Sequence, residues 1–196
     1  MRQLLIATKN AHKTAEIRAI LGAEWQISDL TAHPDFAAPE ETGATFLENA
    51  TIKAVAASRT FEGLVLADDS GLEIDALQGA PGVFSARYAR PNATDSENRA
   101  KVLHELAQCG SADRRARFRC VLTLAQKGVV LMSFEGDVAG SIVAQEHGNG
   151  GFGYDPLFVP TGFTETFGAL AAAVKNEISH RGRALARAAA FLRRCG

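Results

Sequence analysis

Cysteine is scarce in this chain of 196 residues: Cys109, Cys120 and Cys195 are the three present. The number is odd, the spacings are long and no Cys-x-x-Cys occurs. Neither a disulfide framework nor a thiolate zinc site is expected, and a reducing compartment, the cytoplasm, is. An excess of one charge is also missing. Lys and Arg number 21 against 22 Asp and Glu, a net charge of −1. No global field then attracts nucleic acid or an anionic membrane, so neither is expected as a partner, and any site for a polyanion must be local. Long hydrophobic runs are absent. The opening MRQLLIATKN holds only a short apolar stretch before polar residues, too short for a membrane span and unlike a signal peptide. With no secretory route expected, the Asn-x-Ser/Thr matches at Asn49 and Asn92 are read as chance. There is no internal repeat, low-complexity tract or linker.

What remains is an ordinary globular composition, 46% hydrophobic and 22% charged. The length fits one domain over 1–196, with room for two lobes and a real core. Strand-like and helix-like stretches alternate. QLLIAT at 3–8 reads as a strand and HKTAEIRAIL at 12–21 as a helix with Ile17, Ile20 and Leu21 on one face. A polar, proline-containing stretch covers 31–44. Thr45-x-x-Glu48 and Thr94-x-x-Glu97 have capping-box spacing and predict helices to about Arg59 and Gln108. LVLA at 64–67 predicts a strand ending at Asp68, and QGAPGVF a turn region. RFRCVLTLAQ and VVLMSFEGDV flank Lys127-Gly128 as a hairpin, GSIVA reads as a further strand, and RGRALARAAAFLRR as the closing helix. Crossovers together with a hairpin predict an α/β fold with a mixed sheet.

Several stretches carry chemistry. LVLA runs into Asp68, Asp69, Ser70 and Gly71. The plain reading is a turn. The sharper one is a pair of carboxylates where α/β enzymes place catalytic groups, suited to a hard cation such as Mg²⁺ and to orienting or deprotonating water. A phosphate partner would require local donors. ATKNAHK offers Thr8, Asn10 near the helix start, and Lys13 in the first turn beside free N–H groups; the plain reading is a capping Asn10 and a solvated Lys13. Lys53 shares a helix face with Asn49, although it could equally be a surface lysine. Glu40 and Glu41 precede that helix and could supply a further metal oxygen.

GNGGFGYDP at 148–156 contains Gly-x-Gly-x-x-Gly, but Pro156 follows at once and no βαβ unit surrounds it, so a dinucleotide site is rejected. Phe152 and Tyr154 are aromatics that could stack on a nucleobase, or pack in the core. Lys175, His180 and Arg181, with Asn176 and Ser179, make a polar loop with donors suited to a carbonyl or phosphate, against the plain reading of a solvated basic stretch. A P-loop is absent, and residues 68–70 read Asp-Asp-Ser rather than the Asp-x-Asp of a haloacid-dehalogenase-type phosphatase.

Taken together, ATKNAHK, EETGATFLENATIKA, LADDSGLEIDALQGAPGVFSARYA, GFGYDPLF and KNEISHRGRAL resemble the inosine triphosphate pyrophosphatases, and they run in family order from residue 7 to 185. The resemblance implies hydrolysis of the non-standard purine triphosphates ITP, dITP and XTP to the monophosphate and pyrophosphate, with Mg²⁺, cleansing the nucleotide pool. It implies Asp69 as proton acceptor and metal ligand, and Glu40 as the second metal-associated carboxylate. Thr8, Lys9, Asn10, Ala11, His12 and Lys13 match the first phosphate loop, Ser70 a substrate contact, and Lys53 the helix lysine facing the triphosphate. Phe152, Gly153, Tyr154 and Asp155 match the base-side loop; Lys175, His180 and Arg181 match the purine contacts. The implied fold is a long, curved mixed sheet flanked by helices, in two lobes with a central cleft, assembled as a homodimer. Leu170 and Ala173-Val174 depart from the family pattern ahead of Lys175, and Arg90 replaces a common Gly. The alternatives are a related house-cleaning pyrophosphatase acting on other modified nucleotides, and a nucleotide sensor without turnover.

Overall fold

In the computed structural model, residues 2–194 are described; Cys195 lies outside them. A mixed six-stranded sheet runs in the order β2-β1-β3-β4-β5-β6. Its strands are β1 (Arg2–Ile6), β2 (Trp25–Asp29), β3 (Leu64–Ile74), β4 (Arg115–Gln126), β5 (Val129–Ile142) and β6 (Phe158–Pro160), and its helices are α1 (Ala11–Leu21), α2 (Phe46–Thr60), α3 (Asp95–Gln108), α4 (Ala172–Ile178) and α5 (His180–Arg194). β1 pairs in parallel with both β2 and β3, while β6 is antiparallel to β5. The parallel pairs require crossovers, which α1 and α2 supply. Lys127 and Gly128, both at positive φ, make the two-residue turn between β4 and β5.

The chain divides into two compact units: residues as far as Asp69, Cys120–Gly136 and those from Arg181 on form the first; Ser70–Arg119 and Asp137–His180 form the second. In the first, each sheet face has its own core. Leu66, Leu122 and Leu124 pack with Ile17 and Leu21 of α1 and Ala184, Leu185, Ala188 and Leu192 of α5. Val65 and Ala67, one residue out of step, pack with Ala54 and Ala57 of α2. The period of two along a strand produces this division. In the second unit, Leu72, Ile74, Phe118 and Ile142 pack with Val102 and Leu106 of α3 and with Tyr154, Phe158 and Phe167.

Several sequence expectations need correction. β3 does not end at Asp68; it continues through both aspartates to Ile74, and the chain turns only at Gln78 and Gly79, both at positive φ. GSIVA is not a strand of its own, because β5 extends to Ile142. β2 and β6 were not expected. Both are short, and β2 (WQISD) has no clear alternation. A short helix, α4, precedes the closing one. Both capped helices start where the Thr-x-x-Glu signals placed them, and each capping box is complete.

Candidate active site

β3 alternation determines where the two aspartates go. Asp68 follows Leu66 onto the face of α1 and α5, and Asp69 follows Val65 and Ala67 onto the face of α2. They are chain neighbours with separate surroundings, which removes the like-charge problem that adjacent carboxylates pose.

Asp68 is fully enclosed. Lys13 Nζ lies 2.5 Å from Oδ1 and Arg181 Nε 2.8 Å from Oδ2, and the Cys120 thiol donates to Oδ2 at 3.3 Å. Arg181 also donates to Glu16 Oε2 at 2.6 Å. Lys13 and Glu16 both come from α1. Burial opposes ionisation of Asp68, but Arg181 and then Lys13 outweigh it and hold its carboxyl well below the ordinary range. Burial next to the Asp68 charge pushes the Cys120 thiol well up.

Asp69 is in a different condition. Lys53, from α2, donates to Oδ1 at 2.7 Å and to the Asp68 carbonyl at 2.9 Å, and its ammonium also meets Glu41 Oε1 at 3.0 Å. Asp69 Oδ2 is buried and has no hydrogen-bond partner among the described residues. Burial raises the Asp69 carboxyl above the ordinary value; Lys53 and Lys13 oppose the shift and Glu41 adds to it. Lys53 is raised in turn, because Asp69 and Glu41 outweigh its own desolvation. The outcome is one strand with one carboxylate locked in the ionised form and one made more basic.

The first loop does what its sequence predicts for a helix start. Asn10 Oδ1 accepts from the N–H groups of His12 and Lys13 at 3.0 and 3.2 Å, and Thr8 Oγ1 accepts from Asn10 N–H at 3.1 Å. Lys9, Ala11 and His12 are exposed beside it. Lys13 is not solvated; it is drawn to Asp68. Glu40 is exposed in the irregular segment before α2, whereas Glu41 is the carboxylate that the structure brings to Lys53.

The second unit holds the remaining candidates. Ser70 follows on β3, half-buried. Asp155 Oδ2 accepts from Phe152 N–H at 2.8 Å and from Lys175 Nζ at 2.5 Å. It occupies the space of a missing side chain: a Cβ on Gly151, which is at φ +70°, would lie 2.0 Å from that oxygen. The Lys175 ammonium stands 4.9 Å from the Phe152 ring centre. Gly153 donates to Asp95 at 2.7 Å and accepts from Arg99 at 2.9 Å. Tyr154 is a core residue whose hydroxyl donates to the Ser85 carbonyl at 2.8 Å. The His180 ring stacks on Phe118, with centres 4.7 Å apart and planes 10° apart.

Sequence reasoning missed Glu16 and Cys120. The available signals were the i, i+3 spacing of Glu16 from Lys13 and the alternation of β4; neither indicates which strand lies opposite.

A mixed-sheet α/β protein with two adjacent strand-borne aspartates, each paired with its own lysine and one of them made more basic, is the class that this fold and these side chains define. Residues 4–191 match the Ham1 family, and the chain belongs to it. It is 47% identical over 186 residues to the dITP/XTP pyrophosphatase of Halalkalibacterium halodurans, covering 94% of this chain and 96% of that one. It is 46% identical over 187 residues to the protein of the same name from Geobacter sulfurreducens, covering 95% and 94%. Among solved structures, a HAM1 protein from Coxiella burnetii superposes with a TM-score of 0.88 at 41% identity, covering 99% of this chain and all of that one.

Proposed function

We propose that this protein hydrolyses the non-standard purine nucleoside triphosphates ITP, dITP and XTP to the monophosphate and pyrophosphate. Relatives named dITP/XTP pyrophosphatase, matched over nearly their whole length, support the substrate class. The observation that carries the chemistry is Asp69: a buried, raised carboxyl with Lys53 on one oxygen and no partner on the other.

The residues fit a Mg²⁺ ion. An acceptor-only oxygen buried without a donor suits a hard cation. Among the described residues no three His, Cys, Asp or Glu side chains gather to hold a metal. Mg²⁺ is commonly held by one or two carboxylates together with substrate phosphates. Asp69 and Glu40 are the proposed holders, with Glu41 beside Lys53 as a further acidic oxygen. The ion would supply charge neutralisation on the phosphates.

In this reading Asp69 accepts a proton from the water that attacks the α-phosphorus, a task matched to a carboxylate more basic than usual. Lys53 orients Asp69 and neutralises phosphate oxygens. Thr8 to Lys13 is the proposed triphosphate loop: Asn10 holds the N–H groups of His12 and Lys13 and Lys13 is paired with Asp68, so the positive end of α1 and the exposed Lys9 supply the attraction. Positioning and charge stabilisation then supply most of the rate. Ser70 is a proposed substrate contact; the proposed base side is the Phe152–Asp155 segment, in which Tyr154 packs in the core, with Lys175, His180 and Arg181 as the proposed purine contacts. Donors there match the 6-carbonyl of hypoxanthine and xanthine and meet the amine of adenine badly. The flat Phe152 ring suits stacking on the base. Arg181 is engaged with Asp68 and Glu16, so its part includes holding the start of α5. Cytoplasmic location and a homodimer belong to the same proposal; among the described residues no helix is long and apolar enough to cross a membrane.

The test is turnover on dITP, XTP, dGTP and dATP with Mg²⁺, resolving pyrophosphate from single phosphate. Pyrophosphate from dITP and XTP, with the other two much slower, is the expected result; single phosphate or equal rates would reject it.

A further inference from the structure

A buried amide on α2 has no part in the chemistry described so far. Asn49 is fully buried in a helix that does not need it as a cap. Thr45 Oγ1 already accepts from Glu48 N–H at 3.2 Å, and Glu48 Oε2 accepts from Thr45 N–H at 3.1 Å. Asn is also a poor helix former. Its Oδ1 reaches upstream instead and accepts from Gly43 N–H at 2.8 Å. Its Nδ2 is buried without a partner among the described residues. An orphaned donor is unfavourable, so the side chain is poorly explained by packing alone.

Gly43 is pressed onto the first turn of the helix. A Cβ there would lie 2.6 Å from Glu48 Cβ and 2.7 Å from Asn49 Oδ1. Ala44 N–H is held as well, by Glu48 Oε2 at 2.7 Å. Two residues before this pinned point stands Glu41, which meets Lys53 at 3.0 Å, and Lys53 meets Asp69 at 2.7 Å. Lys53 is one helical turn beyond Asn49 on the same face. Two residues of chain span at most about 7 Å, so fixing Gly43 limits where the Glu41 carboxylate can stand.

We infer that Asn49 is a positioning residue: it pins Gly43 so that Glu41 shares Lys53 with Asp69. The inference rests on the proposed pyrophosphohydrolase reading, in which Asp69 is the base. Without the pin Glu41 withdraws, Lys53 turns wholly to Asp69, and the base is bound too closely to its cation.

The test uses the whole chain with Asn49→Ala, Glu41→Gln and the double variant. Asn49→Ala is expected to lower kcat on dITP about tenfold or more, with less change in KM, in keeping with the cost of small misplacements at a reacting centre. In the Glu41→Gln background the same substitution should do little further, because both changes remove one coupling. In the metal-free protein, hydrogen exchange at Glu41 to Ala44 should speed up while α2 stays protected. A lower melting temperature with unchanged kcat, additive effects in the double variant, or unchanged exchange at Gly43 would each overturn the inference. Should Asn49→Ala not fold, Gly43→Ala forces the same contact apart and is judged by the same outcomes. A wild-type protein that releases no pyrophosphate rejects the functional reading and the inference with it; an active wild type and an equally active Asn49→Ala reject the inference alone.

Discussion

At the scale of single residues, the two aspartates show how one backbone step separates roles. Asp69→Asn keeps the shape and the Lys53 neighbour but loses the basic oxygen. Turnover on dITP is expected to fall by about a hundredfold or more, the usual weight of a general base, with the fold retained by circular dichroism; near-normal turnover would remove Asp69 from its role. Because burial raises its carboxyl, Asp69 in the metal-free protein should titrate above the ordinary aspartate range, which carboxyl NMR shifts over a pH series will show. Asp68→Ala belongs to a different class of change. It removes the carboxylate that meets both Lys13 and the buried Arg181, so a loss near the low end of the range for broken buried pairs, about 3 kcal/mol, is expected in urea unfolding.

Elements show which signals survive folding. The boxes at Thr45 and Thr94 were legible because capping is local: each Thr and Glu satisfies N–H groups within four residues. Thr45→Ala should cost about 1 kcal/mol of stability. The Lys127-Gly128 hairpin was legible for the same reason. β3 was not, because charged side chains ordinarily end strands, and what allows this one to continue is Lys13, Arg181 and Lys53 arriving from three different helices. β6 is set by its neighbour: a Cβ on Gly140 would lie 2.3 Å from the Val159 carbonyl and 2.6 Å from Phe158, across the β5–β6 pairing. Gly140→Ala is therefore expected to lower stability by about 1–3 kcal/mol through overpacking, measured as a fall in denaturation midpoint.

For the molecule as a whole, acid is the informative variable. Asp29, Asp68, Glu97 and Asp113 are all held below their ordinary values, the last two at about 2. Each contributes stability that is complete above the ordinary carboxylate range and is lost as pH falls toward its own lowered value. Asp69, shifted the other way, gains on protonation and offsets part of this. The melting temperature should hold steady down to about pH 5 and then fall, with a shallower fall in Asp68→Asn; a flat profile into strong acid would contradict the ion-pair cluster.

Sequence alone determined what is local or collective along the chain: helix starts at caps, the hairpin at its turn pair, the α/β class from the alternation of patterns, and the candidate residues from motifs in family order. Tertiary structure decided which candidates meet. It sent Asp68 to α1 and α5 and Asp69 to α2, gave Lys13 to the first and Lys53 to the second, brought Glu41 to Lys53, and placed Tyr154 in the core. The reason is that a strand's period of two assigns faces, while the cation waiting on each face comes from a helix distant in sequence, so the partnership exists only once the sheet has formed.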